Sequence, residues 1–294
     1  MTSKILFLAL LITASFWLIS CDKIDSPYFR DTVAGDTAGI DTVTFSTTFQ
    51  ATRSVLIEEF TGHKCPNCPT ASVTAHDLKE ANPGKVVVVS IHSGIFASPD
   101  GAGDFTYDFR TTDGTNLDGY FKIGDYGYPN GLISRKKYDP TKWATPPTIW
   151  AEKVDSLKTE PAIASIAVNA YFVNGTDIKC YIKTHFIGAN NKLFKMGVIL
   201  TEDSIFKPQK NNNSIVGTVP VISNYQHRGV FRQSFNGMWG TALNSSSVVD
   251  QQVFLSGYSI TAGSDWVPKH CNVVVYIYDK ETLEVFQVAE TKVN

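Results

Sequence analysis

Residues 55–69 read VLIEEFTGHKCPNCP, and this stretch decides the predicted fold. Its first six residues are mostly apolar, which is typical of a buried strand. Two cysteines, Cys65 and Cys68, follow with two residues between them. The prolines beside them suit the first turn of a helix, whose N–H groups lack partners within the helix. We therefore predict a strand that leads into a helix at a Cys-x-x-Cys pair.

The predicted helix is followed by a second buried strand. Residues 70–81 form the helical body, and Asn-Pro-Gly at 82–84 is a typical stop signal. Residues 86–91 (VVVVSI) are a continuous apolar run, as expected for a strand in a parallel sheet that is covered on both faces. Strand, helix and strand form a βαβ unit with Cys65 and Cys68 at the carboxyl end of the first strand. Two thiols in this position suit reversible disulfide exchange.

The N-terminus predicts export from the cytoplasm. A single charge at Lys4 precedes a nearly continuous apolar stretch, residues 5–19, and a small residue follows. This order is that of a secretory signal peptide. Residues 18–21 (LISC) resemble a bacterial lipobox, which implies cleavage after residue 20 and acylation of Cys21, for example with palmitate. An ordinary signal peptide or a short membrane anchor is the alternative, although about 15 apolar residues are few for a membrane span.

Composition argues against some classes of function. The 294 residues carry a formal charge of -2, so binding to nucleic acid has no electrostatic support. A hydrophobic content of 43% and an aromatic content of 12% indicate a folded chain rather than a disordered one. Beyond the N-terminus, no segment of the sequence is long and apolar enough to span a bilayer.

Changes in composition along the chain predict four segments. Residues 22–53 are rich in Asp, Thr, Ser and Gly, which is typical of a flexible tether. A helix at residues 146–158 and the following Pro161 predict the boundary between two folded domains. The segments are a signal peptide (1–20), a tether (21–53), an α/β domain (54–160) and a β domain (161–294).

The predicted β domain contains about seven short strands. They alternate polar and apolar residues or run apolar, and Asn174-Gly175 is a strong hairpin signal between the first two. We predict an antiparallel sandwich of immunoglobulin-like architecture, with residues 202–219 as a long exposed loop. Cys180 and Cys271 fall in predicted strands and either form a disulfide or stay as buried thiols. The strands are expected at residues 163–173, 177–186, 193–201, 226–233, 248–256, 271–278 and 285–293.

The N-terminal half resembles the thioredoxin superfamily. Besides the strand and the cysteine pair, Glu59 lies six residues before Cys65, where that superfamily has a buried acid. Residues 126–129 (YGYP) match the loop that carries its cis-proline, which here is Pro129. The expected fold class is therefore an α/β thioredoxin-like domain followed by an all-β immunoglobulin-like sandwich domain.

A closer resemblance is to the 28-kilodalton outer-membrane protein family. Three segments carry it, residues 58–65 (EEFTGHKC), 90–94 (SIHSG) and 127–131 (GYPNG), together with the lipobox. Members of that family pair a thioredoxin-like domain with a C-terminal β domain, and their activity is poorly defined. The resemblance implies a protein that is lipid-anchored in the outer membrane, on its periplasmic or its cell-surface face.

The cysteine pair and its predicted neighbours suggest a mechanism for disulfide exchange. Cys65 is assigned as the attacking nucleophile, since positive charge and the helix start lower a thiol pKa. Cys68 is expected to resolve the mixed disulfide, and Glu59 to take its proton if burial raises the carboxyl pKa. The resemblance implies that Pro129 and Tyr128 hold a substrate chain against the site.

Two functions remain open from the sequence. The first is a lipid-anchored envelope thiol-disulfide oxidoreductase that acts on protein thiols or disulfides and needs no cofactor. The second is an outer-membrane surface binding or adhesion lipoprotein in which the α/β domain is not catalytic. A metal site is not expected, because one Cys-x-x-Cys pair with the scattered His63 and His92 is a weak zinc pattern. We expect His63 to be a solvated residue and His92 to lie at a strand end.

Overall fold

The first half of the folded chain alternates strands with short helices. The computed structural model of the protein describes residues 31–35, 38–45 and 49–294. The predicted strand, helix and second strand are present close to their expected bounds. The elements are β1 (Asp31–Gly35), β2 (Val55–Thr61), α1 (Cys68–Ala81), β3 (Val86–His92), α2 (Gly94–Ala97), α3 (Thr112–Phe121), β4 (Asn130–Ile133) and α4 (Trp150–Leu157), with short 3-10 helices at Ile40–Thr42, Gly124–Tyr126 and Pro147–Ile149.

The second half consists of strands apart from one 3-10 turn at Pro268–His270. Most of them lie within a few residues of the predicted positions. They are β5 (Ala164–Val173), β6 (Asp177–Phe186), β7 (Phe194–Glu202), β8 (Ile205–Lys210), β9 (Val221–His227), β10 (Val230–Ser234), β11 (Thr241–Ala242), β12 (Val253–Thr261), β13 (Cys271–Asp279) and β14 (Val285–Lys292).

One eight-stranded mixed sheet runs through both halves of the chain. Its strand order is β14-β13-β7-β10-β3-β2-β4, with β11 paired to β7. The two halves join where β10 lies parallel to β3, with Val230 opposite Ser90. On its other side β3 pairs in parallel with β2. Because β3 is buried along its whole length, its backbone groups need partners on both edges. At Ser90 the start of β10 provides one, since the Ser90 N–H donates to the carbonyl of Gly229.

The predicted fold class is therefore wrong. The chain is mostly β, and β2, β3 and β4 do not form the sheet of a separate α/β thioredoxin-like domain, because the same sheet continues into strands from the C-terminal half. Those strands in turn do not form an independent immunoglobulin-like sandwich. Residue 161, the predicted boundary, lies between α4 and β5, and residues 31–294 form one compact unit.

A second sheet packs its apolar face against the part of the first sheet that contains β7 and β13. It contains four strands in the order β1-β12-β6-β5, and β1 comes from the segment that was predicted to be a tether. Apolar side chains from both sheets share one core, so burial of apolar area holds the sheets together. Examples are Ile166, Ile182 and Phe254 from the smaller sheet and Val198 and Val275 from the larger one.

Strand β2 is buried on both faces because helices cover it. Leu56 and Phe60 point into the cluster that includes Phe121 of α3. Ile57 points the opposite way, into the cluster that includes Trp150 of α4. This alternation explains why the strand reads as a nearly continuous apolar run.

Residues 202–219, predicted as an exposed loop, are partly strand. β8 and β9 pair as an antiparallel hairpin, with Ile205 opposite His227. The polar side chains of its tip are satisfied by nearby backbone carbonyls. Asn211, for example, donates to the carbonyl oxygens of Asn213 and Gly217. The sequence prediction failed because this polar composition is typical of a solvated loop.

Two further expectations concern the cysteines and the membrane. Cys180 and Cys271 are buried free thiols rather than a disulfide. In the part of the chain that the structure describes, no helix has the length and apolar character to span a bilayer. The signal peptide and Cys21 lie outside the described residues.

We predict that Gly229→Ala lowers the free energy of unfolding by about 1–3 kcal/mol. Gly229 has a φ of 58°, and an added Cβ would lie 2.8 Å from the carbonyl oxygen of Val88 in the neighbouring strand. Its own carbonyl accepts from the backbone N–H of Ser90, so it cannot move away freely. Gly119→Ala on α3 is the control, since nothing lies within 4 Å of that Cβ and alanine favours the helix. Equal urea midpoints for the two variants would contradict the prediction.

Candidate functional site

The Cys65–Cys68 disulfide lies in the turn between β2 and α1. The two cysteines are bonded to each other, and each residue is only 1% exposed. The helix begins at Cys68, with Asn67 at its N-cap, so Cys65 lies in the turn before the helix rather than at its start. We call residues 62–67 the cysteine turn.

The tip of the β8–β9 hairpin covers one side of the cysteine turn. Two backbone hydrogen bonds join them, from Lys210 N–H to the carbonyl of His63 at 2.8 Å and from Asn212 N–H to that of Pro66 at 3.1 Å. The Asn212 side chain also donates to Asn67 Oδ1 at 2.5 Å. These hydrogen bonds hold the tip of the hairpin against the turn.

Gln209 links the hairpin to the residues around the disulfide. Its side chain is buried, and its Nε2 donates to the carbonyl oxygens of Cys65 at 3.0 Å and Gly62 at 3.3 Å. Each of these carbonyls also accepts from a backbone N–H of the turn, Gly62 from Cys65 and Cys65 from Cys68, so the carboxamide is a second donor that links the hairpin to both. Gln209 was missed in the sequence, because a single glutamine in a polar run carries no signal of its tertiary role.

Helix α2 and the polar loop after it hold the other side of the turn. The backbone N–H of Lys64 donates to the carbonyl of Phe96 at 2.9 Å. The Lys64 ammonium binds Asp100 Oδ1 at 2.7 Å. The positive charge predicted beside Cys65 is thus paired with an acid of the loop.

Glu59 lies on β2 and is fully buried. Burial raises the pKa of its carboxyl to about 7, and a hydrogen bond from Ser90 to Oε2 opposes that rise. Its Oε1 has no hydrogen-bond partner. The raised pKa places Glu59 where a carboxyl can take or give a proton near neutral pH.

Tyr128 and Pro129 precede β4 at the same end of the sheet. Their peptide bond is cis, as the position of the proline in the sequence suggested. Asn130 pairs with Phe60, so Pro129 lies beside the end of β2. The Tyr128 hydroxyl donates to the carboxylate of Asp118, and its ring packs edge-on against Phe96. A role for either residue in holding a substrate remains a prediction.

A cluster of buried histidines lies beside the turn. His63 is 1% exposed, and burial and the nearby Lys64 lower its pKa, so it is not the solvated cation that was expected. His92 and His227 are both 3% exposed, and their rings are 5.5 Å apart. The ring of Phe109 stacks on His92 with centroids 4.4 Å apart, and it contacts His227 at 4.5 Å with the planes tilted by 44°. No sequence pattern indicates that His227, more than 130 residues further along the chain, joins this cluster.

The geometry brings together some of the predicted site residues. Cys65 and Cys68 are bonded to each other, Glu59 is buried on the strand that precedes them, and Pro129 lies beside the end of that strand. The oxidised pair is sealed on both sides, so a protein substrate has no path to either sulfur in this conformation. Within the described residues, no group of three His, Cys, Asp or Glu side chains lies close enough to hold a metal ion.

Fold and site together define a class of protein in which two sheets pack face to face and a disulfide turn is buried under a hairpin of the same chain. The sequence model of the family described as outer membrane protein Omp28 matches residues 116–294. Since this is more than half of the chain, the protein belongs to the Omp28 family of outer membrane proteins. The resemblance to the 28-kilodalton family and the predicted outer-membrane location are thereby confirmed.

Three solved structures match the chain at low sequence identity, and the first of them has a similar fold. HBP35 of Porphyromonas gingivalis is 13% identical, with a TM-score of 0.56 over 83% of this chain and 76% of HBP35. A domain of the outer membrane lipoprotein Omp28 from Porphyromonas gingivalis is 22% identical, with a TM-score of 0.31 over 45% of this chain and 89% of that domain. A protein from Agrobacterium tumefaciens is 13% identical, with a TM-score of 0.48 over 84% of this chain and 97% of its own. No curated protein matches the sequence.

Proposed function

We propose that the protein is a surface binding lipoprotein of the outer membrane, anchored by a lipid on Cys21, in which the Cys65–Cys68 disulfide is a structural link. The observation that carries this proposal is that the β8–β9 hairpin covers the disulfide. Both cysteines are 1% exposed, and the hairpin that covers them is fixed by backbone and side-chain hydrogen bonds. A reactive disulfide needs an exposed sulfur that a thiolate can approach in line, and this one offers none.

The proposal predicts that the protein does not catalyse disulfide exchange. The test measures insulin reduction by dithiothreitol in the presence of the full-length protein in detergent. The control carries both Cys65→Ser and Cys68→Ser. We expect the two proteins to have the same rate. A rate clearly above that of the control would reject the structural role of the disulfide.

A second prediction tests whether the hairpin controls access to the disulfide. Gln209→Ala removes the carboxamide that donates to the carbonyls of Gly62 and Cys65. Without these hydrogen bonds the hairpin is held against the turn by about 1.4 kcal/mol less, which corresponds to a factor of roughly ten. We therefore expect dithiothreitol to reduce the disulfide roughly tenfold faster. Gln226→Ala is the matched control, because that exposed side chain of the same hairpin bonds Ser204. The rate is measured by mass spectrometry after alkylation. Equal rates for both variants would show that Gln209 does not control access.

Glu59 favours a second candidate function, disulfide exchange with envelope protein thiols or disulfides. Its buried carboxyl, with a pKa of about 7, suits the proton acceptor that a resolving Cys68 needs. This function requires the β8–β9 hairpin to move away from the cysteine turn. A Cys68→Ser variant that accumulates mixed disulfides in cells, where wild type and the double cysteine variant do not, would support it.

The lipid anchor is tested separately. If Cys21 carries the lipid, Cys21→Ser is expected to leave an unacylated protein that no longer sediments with outer membranes. The mass of the mature N-terminal peptide reports the modification directly. An unmodified Cys21 in membrane-bound protein would reject this part of the proposal.

A further inference from the structure

Three buried histidines lie where the β8–β9 hairpin meets the rest of the protein. His63 belongs to the cysteine turn, His92 is the last residue of β3, and His227 is the last residue of β9. Each is at most 3% exposed, and the ring of Phe109 contacts all three, with centroid distances from 4.4 to 5.5 Å. Burial of this cluster therefore depends on the hairpin being in place, because His227 is part of it.

Each of the three rings has a nitrogen without a hydrogen-bond partner. Among the described residues, nothing bonds the Nε2 atoms of His63 and His227 or either ring nitrogen of His92. A neutral imidazole carries one N–H, whereas the protonated ring carries two and needs an acceptor for each. A buried donor without an acceptor is costly, and more so when it is charged. The closed cluster therefore accommodates these rings in their neutral form.

Positive charges around the cluster also oppose protonation. Arg232 of β10 lowers the pKa of His92, and Lys64 lowers that of His63, in each case in addition to burial. Helix α1 faces the same region with uncharged groups. The titratable and charged groups around the three rings are Lys64 of the turn, Asp100, Tyr107 and Asp108 of the loop after α2, Arg232 of β10, Tyr225 of β9 with Arg228 just beyond it, and Glu59 of β2.

The acids near the cluster do not give a protonated ring a partner inside it. Asp100 and Asp108 raise the pKa of His63, but their side chains are 46% and 45% exposed. Glu59 bonds Ser90, and with a pKa of about 7 it is itself protonated and uncharged at acid pH. In the part of the chain that the structure describes, no carboxylate acts on the pKa of His227.

Protonation of the rings is therefore coupled to opening of the cluster. Burial is the main cause that lowers the pKa of His227 to about 3 and that of His92 well below its usual value, whereas a hydrated ring titrates near pH 6.5. The contribution of each neutral ring to the closed form is fully present above about pH 6.5 and is lost as the pH falls toward 3. Between pH 7 and pH 5, each ring that becomes hydrated on opening raises the open population about 25-fold.

The hairpin is the element that can move without breaking the main sheet. β8 and β9 form a two-stranded sheet of their own. At its tip, the backbone N–H groups of Lys210 and Asn212 donate to the carbonyls of His63 and Pro66. Because a two-stranded sheet has little stability by itself, loss of the buried cluster leaves mainly such hydrogen bonds to hold the hairpin in place.

We propose that acidification releases the tip of the β8–β9 hairpin from the cysteine turn, through the buried histidines on both sides of this contact. At neutral pH the rings are uncharged, and the hairpin covers the Cys65–Cys68 disulfide. At acid pH, protonation of His227 and His92 favours the open form, in which the rings are hydrated and the disulfide is accessible. This acid response goes beyond the proposed function, because it concerns access to the disulfide and not what the surface binds.

Hydrogen exchange of the Lys210 and Asn212 amides measures the release directly. The full-length protein in detergent is followed by NMR at pH 7 and pH 5, and protection factors remove the effect of pH on the intrinsic exchange rate. From pH 7 to pH 5 we expect the protection factors of both amides to fall at least about 25-fold. At pH 5 they are expected to lie at least roughly tenfold below that of Val274 in β13, whose amide reports opening of the main sheet.

Two results of this measurement would overturn the proposal. The first is an unchanged protection factor at Lys210 and Asn212 between the two pH values. The second is equal protection at Lys210, Asn212 and Val274, because the cluster would then open only when the whole protein unfolds.

A variant shows whether His227 is a cause of the release. Glutamine stays neutral at every pH, so in His227→Gln the fall in protection from pH 7 to pH 5 is expected to be about 25-fold smaller than in wild type. His185→Gln is the matched control, because that histidine lies on β6 in the smaller sheet, and its fall is expected to equal that of wild type. Only the change between the two pH values is compared, so a general loss of stability in either variant does not affect the result. A fall in His227→Gln as large as that in His185→Gln would overturn the role of His227.

Discussion

Arg135→Ala is expected to lower the free energy of unfolding by about 3–5 kcal/mol, because it leaves the buried carboxylate of Glu58 without its partner. The Arg135 side chain is 0% exposed and that of Glu58 3%. They form two hydrogen bonds, from Nε to Oε2 at 2.8 Å and from Nη2 to Oε1 at 2.5 Å. The guanidinium also lies over the rings of Tyr276, Tyr278 and Phe121 at 4.9, 5.7 and 5.5 Å. These contacts tie β2 to β13, across the joined sheet.

The control for this prediction is an exposed pair of the same type. Arg110 and Asp108 also form two side-chain hydrogen bonds, but their side chains are 38% and 45% exposed. Arg110→Ala is expected to cost at most about 1 kcal/mol. A double variant, Glu58→Met with Arg135→Met, is expected to be more stable than Arg135→Ala, because no unpaired charge remains buried. Urea unfolding followed by tryptophan fluorescence measures all three. Arg135→Ala within 1 kcal/mol of Arg110→Ala would contradict the prediction.

Glu59→Gln is expected to stabilise the protein at pH 8 by up to roughly 3 kcal/mol, with a smaller effect at pH 5. Burial raises the pKa of Glu59 from 4.5 to about 7, so the native state keeps a proton that the unfolded chain releases. Stability due to this group is therefore fully present below about pH 4.5. It falls as the pH rises toward 7, where the buried carboxyl must ionise. Glutamine avoids this loss, because its carboxamide stays neutral and can still accept from Ser90.

The measurement is the difference in urea midpoint between Glu59→Gln and wild type from pH 5 to pH 8. Taking the difference removes the contribution of all other titrating groups. Glu152→Gln is the control, since that side chain is 69% exposed on α4, and its difference from wild type is expected to stay flat. A flat difference for Glu59→Gln as well would show that Glu59 is hydrated in the native protein. That result would also remove the argument for Glu59 as a proton acceptor.

Local patterns in the sequence predicted much of the secondary structure. Strands β2 and β3 are buried along their whole length, and each was predicted from the apolar run of its own residues. The helix between them was predicted in the same way, from local signals. The same holds for β5 and β6, whose hairpin has the Asn174-Gly175 turn at its centre. Such signals lie within a few residues of each other along the chain. They carry no information about which distant strand lies beside another.

The prediction of the fold class was wrong for that reason. Pairing of Val230 with Ser90 joins strands that are about 140 residues apart in sequence, and nothing near either residue indicates it. The predicted domain boundary rested on the end of a helix, on Pro161 and on the change to strand patterns after it, and none of these local signals indicates which strands pair. Gln209 is a similar case, since its role depends on two carbonyls near residue 65 and not on its own neighbours.

The sequence by itself determined the chemistry that the chain contains: a close cysteine pair after a buried strand, an acid six residues before it, and a resemblance to a family of outer membrane proteins. Only the tertiary structure decided what surrounds that chemistry. The β8–β9 hairpin closes over the Cys65–Cys68 disulfide, and His227 comes with it to meet His92. The physical reason is that exposure, pKa and access are properties of the packed surroundings, which distant segments supply.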